Sequence, residues 1–249
     1  MRNRCLAWLV AALLAVAGPV AVAGTADAES GTTGGTFPTA ISWAMSTNRA
    51  VYRQPLVVEY LVQANISILN PPWIPIPPDD THKVVLQRQA AGTTRWRAVT
   101  TTAKTVMVTN KETGKDEPHY LLVDFAAESN SSYRLVYHSP DKGIDSSTST
   151  TKSLKVSRQM HDKGVNRSGR LYILGNVDPG WSHGVVSFQR RSCTTCAWHR
   201  YDRVRTGSRG QYKVRIKVPK RGSWQYRGYV RATTGYVRSF THVFTVKAP

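Results

Sequence analysis

The sequence predicts an all-β protein: two tandem antiparallel β-sandwich modules behind an N-terminal signal peptide. Three observations predict it. Short β-branched segments are punctuated at close intervals by Gly, Pro and Asp, and no helical period stands out beyond the first thirty residues. An internal repeat is present: Gln87-Arg88 precedes Trp96 as Gln189-Arg190 precedes Trp198, 9 residues from Gln to Trp in both. Composition agrees, since 41% of the 249 residues are hydrophobic and 20% charged. That supports packed cores, while apolar runs are too short for a polytopic membrane protein.

The first element is the leader. Arg2 and Arg4 form a positive start, residues 6–22 are almost wholly apolar, and Ala21-Val22-Ala23 offers small residues for cleavage. A signal peptide over 1–23 follows, with Ala28 as a second possible cleavage point. It implies a secreted, extracellular or cell-wall-associated protein with no transmembrane segment in the mature chain. Residues 24–37, rich in Gly, Thr and Ser, read as a flexible N-terminus.

The repeat sets the modules at 38–158 and 169–249, with the polar stretch 159–168 as linker. Strands in the first are expected at Leu56–Val62, Val84–Arg88, Trp96–Thr100, Thr105–Thr109 and Tyr120–Phe125. In the second they are expected near 170–177, 184–191, 197–205, 210–218, 223–233 and 237–246. Downstream of each Trp, Ser132-Tyr133-Arg134 recurs as Gln225-Tyr226-Arg227, so copy one carries about 9 extra residues. A long hairpin loop over Asn110–His119 would hold them, and Trp198, Trp224 and Tyr226 read as core. Export makes Cys193-Thr194-Thr195-Cys196, between two strand-like segments, a local disulfide at a hairpin tip rather than a redox site.

The unit runs Gly175-Asn176-Val177, then Gln189-Arg190, Trp198, Gly210-Gln211-Tyr212 and Gly222-Ser223-Trp224-Gln225-Tyr226-Arg227. It is similar to the tandem immunoglobulin-like or fibronectin-III-like modules of secreted actinobacterial proteins. The resemblance implies fold and export, and no activity. No cysteine pair spans the two sheets, which departs from antibody-type domains.

Charge is the best functional clue. Residues 170–249 hold 16 Lys and Arg against Asp178 and Asp202, a net +14, whereas residues 38–158 hold 14 against 10 acids, a net +4. Lys213, Arg215 and Lys217 alternate with Val214, Ile216 and Val218, so the cations share one face of a strand. With Arg227 and Arg231 they form a candidate polyanion-binding stripe for an anionic cell-wall polymer or another acidic surface. Such residues also serve simply as a solvated face, and export argues against nucleic acid as partner.

A second candidate is the loop Asn70–Pro78, which holds five of the 13 prolines. Trp73, Ile74 and Ile76 there offer a contact for a partner protein or a sugar ring, or fold over the module's own end. Enzyme signatures are not found: there is no Gly-x-Ser-x-Gly, no His-Glu-x-x-His and no phosphate-cradling loop. The acidic groups around His82 and His119 could hold Ca²⁺ at most weakly, so no metal and no cofactor are expected. The expected function is non-catalytic binding of an anionic extracellular or cell-wall surface. The alternative is a structural spacer or protein–protein interaction module with no charged ligand.

Overall fold

The computed structural model describes residues 37–65, 74–77, 79, 82–110 and 114–249. The expected signal peptide, nearly all of the expected flexible N-terminus, and Trp73 lie outside the described residues.

The first eleven strands are β1 (Thr39–Met45), β2 (Arg49–Val51), β3 (Pro55–Ala64), β4 (Ile74–Ile76), β5 (Lys83–Ala90), β6 (Arg97–Ala98), β7 (Thr102–Thr109), β8 (Asp116–Ala126), β9 (Ser131–His138), β10 (Ser147–Thr148) and β11 (Lys152–Ser157). One sheet runs β1-β3-β8-β7 with β4 added to β3, and the other runs β2-β11-β9-β5-β6 with β10 added to β9. Pairing is antiparallel except between β2 and β11. Strand β3 alternates strictly, so Leu56, Val58, Tyr60 and Val62 face Leu86, Tyr133, Leu135 and Val156 across the sandwich.

The remaining strands are β12 (Gln159–Arg167), β13 (Arg170–Asp178), β14 (Val185–Arg191), β15 (His199–Arg205), β16 (Gln211–Ile216), β17 (Ser223–Val230), β18 (Ser239–Phe240) and β19 (Phe244–Lys247). A sheet β12-β13-β16 packs on a sheet β15-β14-β17, to which β18 and β19 both add along β17. Ile173, Val177, Val186, Phe188, Val214 and Tyr226 fill the space between them. The chain is thus all-β, built of antiparallel Ig-like sandwiches around two core clusters.

The repeated residues occupy matching places. Gln87 lies on β5 and Arg134 on β9; Gln189 lies on β14 and Arg227 on β17. Each Arg Nε donates to its Gln Oε1 at 2.9 Å, and each guanidinium lies 4.3 Å over its Trp, Trp96 or Trp198. Trp198 therefore sits on an outer face and not in the core, where its ring stacks against the guanidinium groups of Arg191 and Arg227. Tyr226 is in the core, and Trp224 is half-buried against its rim.

The expected linker is instead strand β12, paired with β13 along its whole length, Gln159↔Asp178 to Arg167↔Arg170. Its composition hid it. The inward positions are Met160, Asp162 and Gly164, only one of them apolar, while His161, Lys163 and Arg167 are exposed. Ser168 and Gly169, both at positive φ, make the two-residue turn that closes this hairpin. Arg158 alone separates β11 from β12.

The segment between β17 and β18 reaches back onto the first sandwich. Asn130 N donates to Gly235 O at 2.7 Å, Tyr236 Oη to Glu128 O at 2.7 Å, and Val237 N to Val156 O at 2.9 Å. Tyr236 also packs against the first core. The extra residues of copy one prove to be a strand as well as a loop. After the two-residue β6, the chain crosses to the opposite sheet as β7, whereas β15 stays beside β14.

Candidate functional site

The strand β16 buries Tyr212, Val214 and Ile216 and exposes Gln211, Lys213 and Arg215. Across the sheet, Lys213 sits opposite Leu174 and Arg215 opposite Tyr172. Leu174 in turn faces Lys163, and Tyr172 faces Val165. Because paired residues share a face, Lys163, Arg167, Arg170, Lys213 and Arg215 all project from the outer side of β12-β13-β16. Lys213 Nζ lies 4.4 Å over the Tyr172 ring. The one carboxylate on this side, Asp178, sits at the far end opposite Gln159.

The structure divides the residues expected to form one stripe. Lys213 and Arg215 share the face just described. The alternation stops at Ile216: Val218 is 43% exposed rather than inward, and Lys217 lies one residue past the strand. Pro219, which cannot donate to a ladder, follows directly. Arg227 projects from the opposite sheet, and Arg231 is exposed one residue past the end of β17. Lys163 and Arg167 were missed because 159–168 read as linker, and Arg170, inside an expected strand, because its face depends on the pairing with that segment. The period-two pattern His161-x-Lys163-x-Val165-x-Arg167 is the signal that could have found them.

The opposite sheet carries a second basic face. Arg191 lies 4.4 Å and Arg227 4.3 Å from the Trp198 ring. Arg227 also lies 4.9 Å over Phe240, and Arg238 lies 5.2 Å over Tyr229. Burial first, and then the charges of Arg191 and Arg238, push the Arg227 guanidinium below its ordinary pKa. The cysteines form the disulfide Cys193–Cys196 in the β14–β15 loop, beside Trp198.

The proline loop folds in part onto its own module. Ile74–Ile76 is the short strand β4 on β3, where edge pairing tolerates Pro75. Ile76 packs on the first core, and Ile74, 47% exposed, stays open to solvent. The acidic groups are engaged locally: Asp79 accepts from His82 N, Thr109 donates to Asp116, Asn110 donates to Glu117, and His119 pairs with Glu59. Among the described residues no three His, Cys, Asp or Glu gather as a metal site.

No family model matches the chain, and no curated protein matches it. Among solved structures it is similar to the adhesin InvE of Yersinia pseudotuberculosis, at TM-score 0.30 and 11% identity. That alignment covers 83% of this chain and 58% of the adhesin. Among the described residues no helix is long and apolar enough to cross a membrane.

Proposed function

We propose that the chain is an exported, non-catalytic binding protein whose second module attaches to an anionic extracellular or cell-wall surface. One observation carries the reading. Five cations from three strands lie on the outer side of β12-β13-β16, and the one carboxylate on that side stands at its end. Attraction is then by charge on a pre-built sheet, strong at low salt and screened within about 10 Å at 0.1 M ionic strength. The adhesin likeness adds nothing to this, being too distant to carry argument.

The test is co-sedimentation of the mature protein with purified bacterial cell walls, intact or stripped of anionic polymer, across a salt series. Binding should fall with salt, with stripping, and with Lys213→Glu/Arg215→Glu. Binding that ignores all three would contradict the reading. A second reading, a structural spacer, is favoured by the docked Thr233–Ser239 segment, which holds the two sandwiches together. It expects no wall binding at any salt.

A further inference from the structure

We infer that the second module is bivalent: the arginine–aromatic ladder on β14, β17 and β18 is a second, separate site for a phosphate-bearing polymer, so one molecule bridges two anionic chains. The inference rests on the reading above for the first site.

The ladder runs Arg191, Trp198, Arg227, Phe240, Tyr229 and Arg238, with one ring–ring step and successive separations between 4.3 and 6.0 Å. Both neighbours of Trp198 are guanidinium groups, so its ring is taken and cannot stack on a base or sugar. What remains on offer is charge and N–H donors. Arg191 Nε is held by Gln225 Oε1 at 2.7 Å and Arg227 Nε by Gln189 Oε1 at 2.9 Å. These bonds fix the guanidinium planes, while their terminal nitrogens have no protein acceptor among the described residues. Planar forks held this way match the paired oxygens of a phosphate.

The crowding is specific to this module. The Gln–Arg–Trp group recurs in the first sandwich and belongs to the fold, but the residue matching Arg191 there is Gln89. Arg200, Arg203 and Arg205 on β15 extend the same outer face, opposite Gln189, Ser187 and Val185. Three arginines held together without a carboxylate repel one another, and a bound polyanion relieves that repulsion. The two basic faces belong to opposite sheets of one sandwich, about 10 Å apart through the core. A single extended chain cannot lie along both.

The experiment uses the full mature chain and inorganic polyphosphate. Short polyphosphate, titrated calorimetrically, should bind with two chains per protein. Long polyphosphate should give light scattering that peaks at intermediate ratio and clears in excess polymer. Arg191→Gln/Arg238→Gln should retain one short chain per protein and lose the scattering peak. Arg203→Glu/Arg205→Glu, at exposed positions outside the stacked ladder, should do the same, so a folding defect cannot mimic the result. Lys213→Glu/Arg215→Glu should also leave one chain. Purified wall polymer replaces polyphosphate in a second arm to distinguish the source of the phosphate. One short chain per wild-type molecule, or unchanged cross-linking by both ladder-face variants, overturns bivalency and leaves the first site standing. No binding by the wild type overturns both.

Discussion

At Gly175 a single methyl group decides whether the β12-β13-β16 sheet closes. A Cβ there would lie 2.3 Å from the Tyr212 hydroxyl oxygen and 2.6 Å from His161 O, because the Tyr212 ring crosses the strand at that point. Gly175→Ala should therefore destabilise the protein by about 2–3 kcal/mol, read from the urea midpoint. An unchanged midpoint would show that Tyr212 is free to move. Beneath it the Asp162 side chain is fully covered, its Oδ2 3.2 Å from His242 Nδ1. Burial pushes the Asp162 carboxyl above its ordinary value, with His242 and His161 opposing, and its charge in turn helps raise the Tyr212 hydroxyl. The folded state thus favours the protonated acid. Its contribution is fully present below the unfolded value of 3.8 and is lost as pH rises through the higher folded value. Asp162→Asn should accordingly gain stability relative to the wild type as pH rises above 3.8. A gap that does not vary with pH would contradict this. None of it was legible in the sequence, where Asp162 looked like a solvated linker residue.

The strands show what a single sequence reveals and what it hides. β16 was legible because apolar and basic residues alternate without a break, and that placed Lys213 and Arg215 correctly on one face. β12 was not, because its inward side is Met160, Asp162 and Gly164 and its pairing is entirely with β13. The crossing of β7 to the other sheet was equally hidden, since period two is the same in either sheet. If β12 is a paired strand, native protein should resist trypsin at Lys163 and Arg167. Rapid cleavage at those two positions would restore the linker.

Across the whole molecule, Arg158 reinforces the seam that the Thr233–Ser239 segment makes between the two sandwiches. The Arg158 guanidinium lies 4.1 Å over Tyr236 and 4.7 Å over Trp181, and Nη1 donates to Pro179 O at 2.7 Å. Burial lowers its pKa, and the Tyr236 hydroxyl offsets part of that. Arg158→Ala should cost about 2–4 kcal/mol through lost stacking and an orphaned carbonyl. In calorimetry it should also split one unfolding transition into two. A single transition at the original temperature would show that the sandwiches are not coupled through this residue. The sequence offered Arg158 only as the last residue before a supposed linker. Its role depends on Tyr236, 78 positions later, and no local pattern links the two.

The most direct test of the account is the salt dependence of binding to purified anionic wall polymer, plotted as log affinity against log salt. A steep negative slope is predicted for the wild type, and a shallower one with weaker affinity for Lys213→Glu/Arg215→Glu. A flat slope, or two superimposable lines, would contradict the claim that the second module works by charge.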